Sequence, residues 1–190
     1  MKMRWSLPFY LFLVVSQAFG QRNEDRPVTE SVTKITFIEP GIAHEFPAGK
    51  AASVFLRGGM TASLAVDYYD NITGVLFRPF IAGSFRVYYN FMKREMLEKN
   101  TAKNSANYFA LLAILAAPPL NKSTDYRPVY NESLLNTGIV WGMQRNYPSG
   151  FSLDLNIGVG YAKDGSQLLI SPVGELNIGW WLGKKNKDRR

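Results

Sequence analysis

From residue 151 to 161 the chain alternates without a break. Phe151, Leu153, Leu155, Ile157, Val159 and Tyr161 occupy one phase, and Ser152, Asp154, Asn156, Gly158 and Gly160 the other. Successive side chains of a strand point to opposite faces, so this pattern builds a ribbon with one greasy side and one polar or empty side. The run is longer than the usual strand of about 5 to 6 residues. It matches the ~9 to 11 residues a tilted strand needs to cross a bilayer.

A second run, residues 77–91, repeats the pattern with Phe77, Pro79, Ile81, Phe85, Val87, Tyr89 and Phe91 against Arg78, Ser84, Arg86 and Asn90. Phe80 and Tyr88 are its exceptions. Further alternating segments cover residues 34–46, 52–66, 135–145 and 168–182, with Pro40 expected to bulge or kink the first of them. Residues 108–117 make a less regular seventh run, whose Ala and Leu residues equally suit a buried helix. Tight turns fall at residues 47–50 and 146–150, and the charged link 92–107 has room for a helical turn before Asn100. Even closure of a barrel favours eight strands, so an eighth is expected between Arg26 and Ile35.

The N-terminus narrows the class further. Lys2 and Arg4 precede an apolar run at residues 7–15, and Ala18, Phe19 and Gly20 form a small-residue cleavage site. Residues 1–20 therefore read as a secretory signal peptide, followed by a polar leader or weak first strand at 21–33, a barrel domain at 34–183 and a basic tail at 184–190. Losing Lys2 and Arg4 from 22 basic residues against 15 acidic ones would lower the net charge from +7 to +5. The chain has no Cys, so an exported form must rely on backbone pairing and packing, which suits a bacterial envelope. The tail holds Lys184, Lys185, Lys187, Arg189 and Arg190, and such terminal charge runs are usually solvated and not a nucleic-acid site.

Turning the apolar phases outward encloses Glu39, Glu45, Arg57, Arg78, Arg86, Asp154 and Glu175. Eight strands leave an interior just wide enough for side chains to fill. These groups are expected to form a structural ion-pair network in the lumen. Phe46, Tyr89, Phe91, Phe151 and Trp180 then mark one membrane boundary, and Phe77 and Tyr161 the other. Catalysis finds little support: the single histidine, His44, falls in the outward phase. The sequence shows no set of convergent metal ligands and no cofactor fingerprint.

Several stretches carry a family resemblance. They are Pro40 and Gly41 leading to a tight turn, residues 86–94 at a strand end, residues 104–108, residues 140–145, and the closing residues 179–184. In these the chain resembles the small outer-membrane β-barrel proteins of Bacteroidetes-type bacteria. The resemblance implies an all-β, antiparallel up-and-down transmembrane barrel in the bacterial outer membrane, without catalytic residues. Its partners would be outer-membrane lipid and lipopolysaccharide, and the barrel-assembly machinery during biogenesis. Unlike the many outer-membrane proteins that end on an aromatic residue, this chain continues past Trp181 with a basic tail. A non-catalytic structural or surface-interaction role is the leading expectation. The alternative is a soluble periplasmic barrel that carries a lipid or other apolar ligand inside, which requires the opposite assignment of faces.

Overall fold

The computed structural model describes residues 29–66, 72–121, 132–164 and 167–183. The expected signal peptide, most of the expected leader and the basic tail lie outside the described residues. Eight antiparallel strands follow one another round a ring, and the last pairs with the first: β1 (Val32–Thr36), β2 (Gly41–Pro47), β3 (Ala52–Val66), β4 (Ile72–Tyr88), β5 (Asn107–Ala116), β6 (Leu134–Asn146), β7 (Phe151–Asp164) and β8 (Gln167–Leu182). This is the expected eight-stranded up-and-down barrel. Closure removes the free edges that an open sheet would leave for aggregation.

The hidden strand is β1. Residues 34–46 do not form one continuous strand, because the chain reverses at residues 37–40 and splits the segment into β1 and β2. Pro40 closes that reversal and does not kink a strand, as befits a residue with no N–H to give a ladder. The reversal also breaks the phase: Thr36 points inward and is buried, although simple alternation groups it with the outward Ile42.

Following paired residues once round the ring leads from Ile35 through Ile42, Gly58, Ile81, Leu115, Leu135 and Lys163 to Leu168. That is twelve positions short of Trp180, the actual partner of Ile35. With ~3.3 Å per residue along a strand and ~4.8 Å between strands, this stagger tilts the strands by about 45°.

The two tight turns, the link between β4 and β5 and both ends of the barrel domain share one rim, the turn end. The opposite rim, the loop end, carries the 37–40 turn and the remaining connections. The turn end is stoppered. A short helix, α1 (Phe91–Met96), and a 3-10 turn (Ala102–Asn104) fold across it, and Phe91 packs beneath Tyr88 with ring centroids 5.0 Å apart. Phe91 is therefore a buried plug residue and not a boundary aromatic, because β4 ends at Tyr88 and the helix turns the ring inward. Asn104 fastens the stopper to the N-terminal segment by exchanging hydrogen bonds with Glu30, its Oδ1 accepting from the backbone N–H at 2.7 Å and its Nδ2 donating to the carbonyl at 2.8 Å. Lys103 adds an ion pair to Glu30 at 2.7 Å.

The loop end is uneven. β1 and β2 have 5 and 7 residues, whereas β3 and β8 on either side of them have 15 and 16. β3 pairs with β2 only as far as Gly59, with one further bond from the Met60 N–H to the Pro40 carbonyl. β8 pairs with β1 only to Gly179, with one bond from the Phe37 N–H to the Ile178 carbonyl. Beyond those points the two strands rise with a gap between them. The matching overhang of β4 past β5 is covered: residues 117–121 run along it, with Ala117 and Leu120 donating to the Pro79 and Phe77 carbonyls.

Candidate functional site

The lumen holds two polar clusters. Toward the turn end, Arg86 on β4 reaches Asp154 on β7 at 2.7 Å and donates to the Gln144 amide oxygen at 2.7 Å and to the Ser84 hydroxyl at 3.1 Å. Its guanidinium lies 3.8 Å from the centre of the Phe55 ring and 4.4 Å from that of Tyr108. The Tyr108 hydroxyl donates to the other Asp154 oxygen at 2.6 Å. Glu45 accepts from Ser53 at 2.6 Å, from Gln144 at 2.9 Å and from the Tyr88 hydroxyl. Charge-assisted bonds of this kind are the strong ones, and burial demands them: Arg86 and Asp154 are paired and hydrogen-bonded, and Glu45 is held by three neutral donors.

The second cluster sits nearer the loop end. Arg57 on β3 bridges Glu39 at 2.6 Å and Glu175 on β8, and lies over the Phe80 ring at 4.5 Å. Asn156 donates to the free side of Glu175 at 3.1 Å. Beside this cluster is a cavity of about 450 Å³ that includes Thr61, Ser63, Arg78, Phe80 and Asn136 in its lining.

Of the seven residues expected in one network, six therefore divide between two clusters. Arg78 joins neither. It turns to the loop end and donates to the carbonyls of Ala117 and Glu132, at 3.3 and 2.6 Å. Glu39 reaches the lumen from the 37–40 turn and not from a strand. Lys34, which the sequence pattern left out, is also enclosed; its ammonium has no hydrogen-bond partner among the described residues and sits 5.6 Å from the Phe55 ring. It supplies a fourth base to balance four acids. Tyr88, Tyr108 and Gln144 were the other unforeseen members. Their signal was present for Tyr88, a large ring breaking into the polar phase, since only an inward hydroxyl acceptor makes that placement favourable.

The other six aromatics expected at the boundaries face outward. Phe46, Tyr89 and Trp180 are exposed near the turn end, Phe151 is half-buried there, and Phe77 and Tyr161 are exposed on the loop-end half. Trp141 donates its ring N–H to the Tyr89 hydroxyl at 2.9 Å. His44 lies on the outer face, with Thr33 and Ser31 hydroxyls at 2.8 and 3.0 Å from its two ring nitrogens. No group of three or more His, Cys, Asp or Glu side chains suited to a metal ion occurs among the described residues. No protein-family model, curated protein or solved structure matches the chain.

Proposed function

We propose that this protein is an integral outer-membrane β-barrel with a structural or surface-interaction role, non-catalytic, its lumen occupied by an ion-pair network except at the loop-end cavity. One observation carries the reading. On five different strands, Ile42, Ile81, Leu111, Ile139 and Ile157 are each 62 to 64 % exposed, while Arg57, Arg86 and Asp154 behind the wall are at most 4 % exposed. A water-soluble protein rarely shows a contiguous apolar patch beyond a few hundred Å². An apolar band encircling a closed barrel is the surface that lipid solvates.

The ends fit the same reading. Outer-membrane barrels keep short turns on the periplasmic side and longer connections outside, which orients the turn end, with both ends of the barrel domain, toward the periplasm. The β4–β5 link is the long exception, and its length is used by the stopper. A soluble carrier needs an apolar pocket inside and polar groups outside. The outward belt and the enclosed charges weigh against it.

Membrane fractionation with a boiled-versus-unboiled gel comparison tests the proposal. Recovery in the outer-membrane fraction, detergent extraction and faster migration of the unboiled sample are expected. Release of the folded protein in osmotic-shock fluid would overturn it.

A further inference from the structure

The gap between β3 and β8 leads sideways from the apolar belt into the loop-end cavity, and we propose that it is a lateral binding site for a single-chain amphiphile drawn from the surrounding membrane. The inference rests on the membrane reading above.

Three observations converge. First, the backbone on both sides of the gap is unpaired among the described residues. The Met60 N–H and the Ile178 carbonyl make the last bonds to the β1–β2 hairpin, so the next groups in the same phase, those of Ala62 on β3 and Leu176 on β8, face the opening. Pro172 continues that phase of β8. A proline lacks the N–H a paired ladder needs and is confined to strand edges, so its position is that of an edge kept open.

Second, the lining changes character from outside to inside. Ile38 and Leu176 form the outer lip and are exposed, and Phe80 and Ile114 follow within. Exposed Leu64 and Ile170 continue the apolar surface beyond the gap toward the loop end, so the opening lies within the belt and not above it. An acyl chain crossing that lip never leaves an apolar surface. The cavity's volume of about 450 Å³ lies in the range of ligand pockets, about 300 to 1,000 Å³.

Third, the inner end is polar. Arg57, Thr61, Ser63 and Asn136 line it, and the Arg57 Nε is buried without a hydrogen-bond partner among the described residues. Buried polar groups are nearly always bonded, so this donor calls for a polar occupant. The lining offers donors and acceptors together, and Arg57 is already bridged by two carboxylates. A small hydrogen-bonding head on an alkyl chain meets both ends of the site, and the stopper at the turn end makes it blind.

Hexadecan-1-ol is the probe. The full barrel is purified in a maltoside detergent and titrated with hexadecan-1-ol by native mass spectrometry, and heat-modifiable migration and vesicle flotation are recorded for every variant. A saturable one-to-one adduct is expected. Thr61→Trp, which fills the cavity, and Ile38→Asp, which charges the exposed lip, should each weaken it at least tenfold. Ile139→Trp, on the far outer face, should leave it unchanged. Ile38→Asp alone decides the matter if Thr61→Trp does not fold. No adduct, an adduct unaffected by the lip and cavity variants, or equal weakening by Ile139→Trp would overturn the site. Flotation and the gel shift report the membrane reading separately, so the two proposals fail independently.

Discussion

Arg86 and Asp154 meet at 2.7 Å inside the ring although their strands, β4 and β7, are not neighbours. The contact ties opposite parts of the wall across the lumen, with Phe55 and Tyr108 holding the guanidinium between them. Its worth lies in what its loss leaves behind. Arg86→Ala strands a buried carboxylate and is expected to cost about 3 to 5 kcal/mol. Urea unfolding from lipid vesicles measures it. The double variant with Asp154→Ala should lose less than the two single losses combined, because the second change removes the stranded charge.

Two glycines separate the inside of the wall from the outside. A Cβ at Gly142 would fall 2.3 Å from the Tyr108 ring, whereas at Gly58, on the outer face, the nearest atom would be 3.6 Å away. Gly142→Ala must push Tyr108 off Asp154 and should cost about 1 to 3 kcal/mol. Gly58→Ala should stay within about 0.5 kcal/mol of the parent. Paired unfolding curves check the contrast.

Phe91 and Tyr89 are two residues apart and do different work. Phe91 is buried in the stopper and Tyr89 is exposed at the rim. Phe91→Ala should cost about 3 to 5 kcal/mol through the cavity it leaves. Tyr89→Ala should cost about 1 kcal/mol, the loss of the hydrogen bond from Trp141. The reverse order of stabilities would remove Phe91 from the plug.

A charge on the belt tests what surrounds it. Ile157→Arg, on the outward face of β7, is expected to cost about 2 to 4 kcal/mol of folding free energy in bilayers. Phe46→Arg, close to the turn end, should cost about 0 to 1 kcal/mol, as for a basic residue near the interface. Equal penalties at both depths would argue against a bilayer.

The long strands were readable because each repeats its two-residue period enough times to outweigh exceptions, as β7 does from Phe151 onward. β1 was expected only from the even count of a closed barrel, since five residues with a lysine in the inward phase resemble any polar leader. The 37–40 reversal was hidden: strand and turn both accept residues such as Ile38 and Glu39, and the alternation runs on through them. Phe91 matched the outward phase of β4 by count, but the period holds only while the chain stays extended, and it turns helical one residue after Asn90. The charged lumen residues were recognisable as a set from their phase. Their division into two clusters was not, because which inward groups meet depends on the stagger round the ring, and no single strand records that.

The central claim is that the greasy face of the sheet meets hydrocarbon. The absence of cysteine allows single nitroxide labels to be placed at each position from 152 to 159 in the refolded barrel in lipid vesicles. Collision with oxygen, which concentrates in lipid, and with a water-soluble nickel chelate is then measured at each site. Leu153, Leu155, Ile157 and Val159 should be reached by oxygen and shielded from nickel, with Ser152, Asp154 and Asn156 between them poorly reached by either. Nickel access at Ile157 and Val159 equal to that of a free label in water would contradict the account.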